Sequence, residues 1–310
     1  MLPKLTMIIP CFNEEEHLSK CLNSIADQDY PQDLIELLIV DNGSTDNSLN
    51  IAQNSSAKIH VKPNINVGAV RNYGARNAEG EILVFLDADC SLDTTWISRA
   101  VELVSEQPNT VFGGGCLLPP NAQWVETCWL LENEEGNVLP RELLGCSIVL
   151  PKAIFEFSGG FDESLPSGED SEFSSKLKEL SFQVTLTRDL NVVHWGNAKS
   201  LSDFFKRQTW HGMGYKKRMA ESTKDPVFLI ILLFLLLATV TLLSLPFNRV
   251  FSYGAISGCF FLPAILTAKR YLRAKRKPDS LPEIFKCYIL DTLYVIGRAK
   301  GLIFSEAKRQ

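Results

Sequence analysis

Two aspartates close an apolar run in ILVFLDAD, residues 82–89. Ile82 to Leu86 predict a short strand buried on both faces, which stops at Asp87 and Asp89. Open α/β sheets hold ligands at the carboxyl ends of their strands, and two carboxylates there suit Mg²⁺ or Mn²⁺ carrying a diphosphate. Taken alone, D-x-D reads equally as a turn capped by acids, because Asp is common in turns. Other residues repeat the placement. Asp41 closes a second apolar run, Glu36 to Val40, and opens the turn DNGSTDNS. His194 and Trp195 end a run from Asn191 to Val193; a lone His is more often packing, yet it stands where a metal's open position can be filled. Glu169 and Asp170 follow Gly168 at the start of a helical pattern, where backbone N–H groups and the helix dipole keep an acid ionised, as a general base requires. Ser167 with Asp170 also matches a capping box, a purely structural use.

The elements that must position these groups alternate. Thr6 to Pro10 predicts a first strand, followed by Cys11, Phe12 and Asn13 and a helix with Leu18, Cys21, Leu22 and Ile25 on one face. Asn13 with Glu16 reads as that helix's cap, which makes Glu14 to Glu16 helix-start acids. A helix from about Asn47, a strand from Lys58 to Val61 and a helix from Val67 to Ala78 carrying Arg71 and Asn72 lead into the strand that ends at Asp87. This β-α-β-α-β-α-β order predicts an α/β fold with a mostly parallel sheet and right-handed crossovers, Pro10, Asp41 and Asp87 emerging on one edge. No G-x-G-x-x-G follows the first strand and no G-x-x-x-x-G-K-[ST] occurs, so a metal on Asp87 or Asp89, helped by Arg71, is the simplest way to hold phosphates. Further on, the pattern predicts a helix from Thr94 to Gln107 and a strand containing Gly113, Gly114 and Gly115, glycines that admit a ligand, a bulge or a bend. A helix from Trp124 to Glu135, a strand from Cys146 to Leu150, a helix face of Phe173, Leu177 and Leu180, and a strand from Gln183 to Thr187 follow.

At 310 residues the chain has room for one large α/β domain and an appendage. Residues 226–310 carry 12 Lys and Arg against 4 Asp and Glu, whereas the whole chain is at -5, so the body is acidic and the tail basic. Pro226 to Asn248 and Val250 to Ala268 lack charged residues, and each suffices for a bilayer crossing at about 20 residues. LIILLFLLLATVTLLSL is apolar on every side, which favours a membrane hairpin over a pair of core helices. Lys216, Lys217, Arg218 and Lys224 precede the first run and KRYLRAKRK follows the second, so both flanks are expected in the cytoplasm with only Asn248 and Arg249 outside. The N-terminus MLPKLTMIIP lacks the plan of a signal peptide, and eight cysteines without a C-x-x-C pair read as reduced packing thiols. The basic, aromatic stretch Phe204 to Met219 reads as an interfacial linker.

Five stretches, IIPCFNEEEHLSKCLNSI, LLIVDNGSTDNS, RNYGARNAEGEILVFLDAD, GGFDESLPSGEDSEF and RQTWHG, resemble in that order the family-2 glycosyltransferases of the GT-A fold, over about residues 4–215. The resemblance implies a Rossmann-like mixed sheet with helices on both faces in residues 1–220, a transmembrane hairpin at 226–268, and a basic cytoplasmic tail with an amphipathic helix at 269–310. It implies that Pro10, Phe12 and Glu14 lie at the nucleotide, with Asp41 accepting a hydrogen bond from a base ring N–H. Uracil and guanine offer such a group, so UDP or GDP is expected over CDP. Arg71 would lie near the donor, and Asp87, Asp89 and His194 would serve the metal. Asp170 would be the catalytic base, Glu169 its companion, with Arg207, Gln208 and Trp210 near the acceptor or the diphosphate.

The implied reaction is a single displacement with inversion at the anomeric carbon, assisted by Mg²⁺ or Mn²⁺. The expected setting is a bacterial inner membrane with the catalytic domain in the cytoplasm, a membrane-associated lipid-linked or saccharide acceptor, and no nucleic acid partner. Processive relatives carry Q-x-x-R-W, whereas this chain reads Arg207, Gln208, Thr209, Trp210, so transfer of one sugar is expected. Asn42 stands where a second Asp is frequent. A polyprenyl-phosphate sugar synthase and a non-catalytic nucleotide-sugar-binding membrane protein are the alternatives; a nucleotidylyltransferase would need a glycine-rich basic loop that IIPCFNEEE lacks.

Overall fold

The computed structural model describes residues 2–133, 136–217, 219–223 and 225–304. The chain divides into two compact units, Met1–Pro119 with Leu139–Gly196, and Pro120–Val138 with Asn197–Gln310.

The first unit opens with β1 (Leu5–Cys11), α1 (Leu18–Ala26), β2 (Ile35–Asp41), α2 (Ser48–Gln53), β3 (Lys58–Val61), α3 (Val67–Asn77) and β4 (Ile82–Phe85). It continues through β5 (Cys90–Ser91), α4 (Trp96–Glu106), β6 (Thr110–Gly113) and β7 (Cys116–Leu117). The chain leaves for α5 (Trp124–Trp129) in the second unit, then returns as β8 (Ile148–Pro151), α6 (Lys152–Ser158), α7 (Glu169–Glu179), β9 (Gln183–Leu186) and β10 (Val192–His194). Seven strands form one sheet in the order β3-β2-β1-β4-β8-β6-β9, and β5, β10 and β7 form a second, small one. The first four strands are parallel, as their alternation with helices requires. β8 runs antiparallel to β4 and β6, which makes the sheet mixed.

Residue alternation explains the two layers of core. Leu5, Met7 and Ile9 of β1, with Ile82 and Val84 of β4, face α1, α2 and α4; Ile8, Leu83 and Phe85 face α3, α6 and α7. A strand covered on both sides has no polar position to offer, hence the unbroken ILVF.

Several local readings are corrected. Helix α1 starts only after His17, and Asn13 instead sits at φ 56 with its Oδ1 accepting from Thr45 N at 2.8 Å. Glu15 likewise accepts from Asn47 N at 2.9 Å, so these residues cap the neighbouring turn and not their own helix. The capping box at Ser167 and Asp170 does not form: the N-cap is Gly168 at φ 79, in a left-handed conformation that suits glycine, without a side-chain cap. Leu180 is the exposed C-cap of α7 and not part of its buried face. Of Gly113 to Gly115, the middle one serves packing, since a Cβ on Gly114 would meet the Leu190 carbonyl oxygen at 1.6 Å. Helix α5 stops at Trp129, because Leu130 turns to φ -95, ψ 64; Glu134 and Glu135 of the longer predicted helix lie outside the described residues.

The second unit adds α8 (Leu201–Lys217), α9 (Met219–Ser222), α10 (Pro226–Ser244), α11 (Arg249–Ala274) and α12 (Leu281–Ile303). The stretch read as a linker is thus mostly the 17-residue helix α8. Helices α10 and α11 form the hairpin: Asp225 caps Val227 N at 2.9 Å, Pro226 starts α10, and Asn248 caps Phe251 N at 3.0 Å to start the return. Only 11% of the most apolar stretch of α10 is buried within the chain, and Leu236, Leu242 and Phe247 point outward. A core helix would bury such side chains. Arg218 and Lys224, two of the basic flanking residues, lie outside the described residues.

Helix α12, 23 residues long, lies in the stretch expected to be a basic tail with an amphipathic helix. It buries Cys287, Leu290, Asp291 and Val295, with Asp291 accepting from Thr267 Oγ1 at 2.7 Å and Arg270 Nη1 at 3.0 Å. Its GRAKG segment lies directly on α8: a Cβ on Gly301 would meet the Thr209 carbonyl oxygen at 2.0 Å, and one on Gly212 the Arg298 carbonyl oxygen at 2.4 Å. Small residues at four-residue spacing let two helix backbones approach this closely.

Candidate active site

The parallel register brings the predicted strand ends level. Cys11 pairs with Asp41 and Ile8 with Phe85, so the chain after β1, β2 and β4 leaves the sheet on one edge. Asp41 is 1% exposed; its Oδ1 accepts from Gly43 N at 2.9 Å and Ser44 N at 3.0 Å. The other oxygen, Oδ2, is buried and meets no hydrogen-bond donor among the described residues. A buried carboxylate oxygen without a donor is costly, so it is a ready acceptor for a ligand N–H. Pro10 lies in β1 opposite Val40, Phe12 is exposed beside it, and Glu14 is anchored by its own N–H to Ser48 Oγ at 2.7 Å. Asn42 has a structural reason for being an amide. Its Nδ2 donates to Ile65 O at 2.9 Å while its Oδ1 accepts from Ile65 N at 3.2 Å, an exchange that a carboxylate cannot make.

Arg71 lies at the centre of the acids. It is 3% exposed, donates through Nη2 to Asp87 Oδ1 and through Nη1 to Glu169 Oε1, both at 2.6 Å, and lies over the Phe161 ring. The sequence reading expected this side chain near the donor; its guanidinium lies between the Asp87 and Glu169 carboxylates. Asp87, read as a shared donor and metal acid, is thereby tied by one oxygen to Arg71. Removing either kind of partner would strand a buried charge, so the triad fixes the end of β4 against the start of α7.

Asp170 is the next acid along α7. Its Oδ1 accepts from Ser171 N at 2.7 Å and its Oδ2 from Gly145 N at 3.3 Å. Burial, and then the neighbouring Glu169 charge, push its carboxyl up to about 7 against the pull of Arg71. Burial is thus the largest influence on this carboxyl, ahead of the backbone N–H groups that favour its charged form.

Asp89 is 8% exposed and lies where the small sheet meets the large one. Antiparallel pairing of His194 with Cys90 brings His194 Nε2 to 3.6 Å from Asp89 Oδ2, and ligand atoms of Asp89, Cys90 and His194 all lie within 4.8 Å of one another. Burial pushes the Cys90 thiol well up, so it keeps its proton and is a poor ligand. A carboxylate oxygen and an imidazole nitrogen remain, donors that suit Mn²⁺ or Mg²⁺ with further oxygens from a diphosphate. Sequence reasoning missed Gly196: a Cβ there would sit 1.9 Å from Asp89 Oδ2, so only glycine leaves that oxygen accessible. The residues fit a divalent ion.

Arg207, Gln208 and Trp210 belong to the second unit, on α8. Gln208 is 3% exposed and accepts from Arg298 Nε of α12 at 3.3 Å. Trp210 is 40% exposed and packs against His211 at 4.9 Å between ring centroids; Arg207 is half-buried.

Comparison with known proteins extends what the geometry offers. A family model described as glycosyl transferase family 2 matches residues 6–124, which include Pro10, Asp41, Arg71, Asp87 and Asp89. Glycosyltransferase AglE of Haloferax volcanii is 30% identical over 69% of this chain and 73% of its own length. A Methanococcus voltae protein, the dolichyl N-acetyl-α-D-glucosaminyl phosphate 3-β-D-2,3-diacetamido-2,3-dideoxy-β-D-glucuronosyltransferase, is 24% identical over 96% of this chain and 97% of its own. Several other relatives match over only about a third of their own length. Among solved structures, the mannosyltransferase PcManGT of Pyrobaculum calidifontis, in complex with GDP-Man and Mn²⁺, superposes with a TM-score of 0.64 at 18% identity, covering 99% of this chain and 89% of that one. The fold is therefore GT-A, and with the AglE match and the family model over the strand-end acids, the chain belongs to glycosyltransferase family 2.

Proposed function

We propose that the chain is an inverting glycosyltransferase that moves one sugar from a UDP or GDP donor to a membrane-associated, lipid-linked acceptor. Asp170 is the observation that carries this reading. Its carboxyl, raised to about 7, is matched to taking a proton at the pH of the cytoplasm, as general-base catalysis favours. In this reading Asp41 Oδ2 accepts the ring N–H of the base, Pro10 and Phe12 line it, and Asp89 with His194 holds Mn²⁺ or Mg²⁺. When bound, that ion stabilises charge on the leaving diphosphate. Asp170 takes the acceptor hydroxyl's proton, and the oxygen bonds to the anomeric carbon as the bond to the diphosphate breaks on the opposite face. Arg71 holds Glu169 and Asp87 in place throughout and transfers nothing.

The acceptor class draws on two further observations. The outward-facing leucines of α10 favour a hairpin within a bilayer, with its basic flanks in the cytoplasm. The Methanococcus voltae relative, matched along nearly its whole length, is named for a dolichyl phosphate-linked sugar acceptor. Relatives come from archaea and bacteria alike, so the membrane is assigned without a domain of life.

A transfer assay tests the proposal. The full chain in lipid is given labelled UDP- and GDP-sugars with Mn²⁺, and either a polyprenyl phosphate or a polyprenyl-linked saccharide. Label is expected in the lipid extract with the saccharide acceptor, in a glycosidic bond that survives the mild acid that cleaves a sugar–phosphate ester. Acid-labile label formed on polyprenyl phosphate alone would make the chain a sugar-phosphate synthase. Donor binding with no transfer to either would leave a binding protein.

A further inference from the structure

Within the second unit a guanidinium lies among aromatic rings where α8, α10 and α12 meet. Arg298 of α12 is half-buried; its Nε donates to Gln208 Oε1 at 3.3 Å and its Nη1 to the Tyr215 hydroxyl, and it stacks over the Tyr294 ring at 4.5 Å. No carboxylate pairs with it among the described residues. Asp225, whose charge it senses, caps α10 and is met by the Tyr215 hydroxyl at 3.5 Å. A neutral imidazole is near: burial, and then the charges of Arg298 and Arg207, push His211 down to about 3. Gln208 and Tyr215 take up its Nε and Nη1, Asp225 is reached only through the Tyr215 hydroxyl, and arginine forks suit phosphate oxygens.

The level of this cluster selects the anion. Tyr215 packs on Phe228 at 5.0 Å, and Ala299 and Leu302, the next positions of α12, pack with Phe228 and Ile231 in the first turns of α10. Arg298 therefore sits within about one turn of the start of the apolar helix. In a chain whose hairpin crosses a bilayer, that is the depth of lipid phosphates, not of hydrocarbon.

We infer that Arg298, with His211 and Tyr215 beside it, binds the phosphate of the lipid-linked acceptor. The inference rests on the acceptor reading above and narrows it to an anionic polyprenyl lipid held at the boundary by α8 and α12. Gln208 then acts as a positioning residue that aims the guanidinium.

Binding is measured without donor or metal, so that it is separate from transfer. The full chain in phosphatidylcholine nanodiscs is titrated by calorimetry with farnesyl phosphate, farnesol and inorganic phosphate. Farnesyl phosphate is expected to bind most tightly, and Arg298→Gln to weaken it at least about tenfold, the usual scale for losing a charge-assisted hydrogen bond, while Arg298→Lys retains part of the affinity. On the wild-type chain, farnesyl phosphate is expected to raise the His211 titration followed by NMR, because a phosphate offsets the two arginines; this readout needs no variant that folds. Unchanged affinity in Arg298→Gln together with an unmoved His211 would overturn the site. Inorganic phosphate binding as tightly as farnesyl phosphate would overturn the lipid as its source. Failed transfer with intact farnesyl phosphate binding would remove the enzyme reading alone.

Discussion

Replacing Asp170 with Asn removes a charge while keeping the shape of the side chain, and the structure forecasts two effects of opposite sign. Turnover is expected to fall by about 10² to 10⁴, the contribution of a positioned base, with donor affinity unchanged. Stability is expected to rise at alkaline pH. The folded carboxyl titrates at about 7 against the ordinary 3.8, a difference of about 3, which at 1.36 kcal/mol each sets a ceiling of about 4 kcal/mol. Asn recovers that penalty but forfeits one of the two acceptor contacts, to Ser171 N or Gly145 N, worth about 1 kcal/mol, and water reaching a half-buried group trims the ceiling further. A net gain of about 1–2 kcal/mol remains. Between about pH 4 and pH 7 the folded chain holds a proton that the unfolded chain has lost, so wild-type stability falls through this window and stays low above it. Melting curves of wild type and Asp170→Asn should thus nearly coincide or slightly disfavour the variant at pH 5, and separate by a few degrees in its favour at pH 8.5. A variant equally destabilised at both pH values would make the carboxylate a structural acceptor. Near-wild-type turnover would remove the base assignment outright.

Two further outcomes follow from the same geometry. Asp41→Ala is expected to weaken UDP or GDP binding about fivefold, the loss of about one hydrogen bond, and Asp89→Ala to weaken it more. Calorimetry with and without EDTA checks this, and equal affinity in EDTA would refute the metal site. For topology, a membrane-impermeant maleimide applied to intact cells is expected to label a cysteine placed at Asn248 and to miss one placed at Lys277; the reverse labelling would invert the proposed orientation.

Much of this was legible because it depends on short-range pattern. The unbroken ILVF, the alternation of strands and helices, and the acids at strand ends each sit within a few residues, and they predict the first four strands in their observed places. The partners of those acids are another matter. Arg71 and Glu169 stand 98 positions apart, and nothing local in RNYGARN marks its arginine as a buried bridge rather than a phosphate contact. Asn42 looked like a departure from a family pattern until Ile65 supplied the reciprocal hydrogen bonds. Glycine carries no side chain from which to read a purpose, so the opening that Gly196 leaves over Asp89 is visible only with both strands in place. The amphipathic helix expected in the basic tail is α12, but its close approach to α8 rests on glycines that carry no pattern to read.

That packing also orders the assembly of the chain. Gly212 and Gly301 bring together two helices that lie on either side of α10 and α11 in sequence, so both apolar helices leave the ribosome before α12, the partner of α8, can dock. Until then α8 has its glycine-lined face open. Completion of the second unit thereby waits on α12, and a chain stalled before that helix would expose to proteases the same surface that a finished chain conceals.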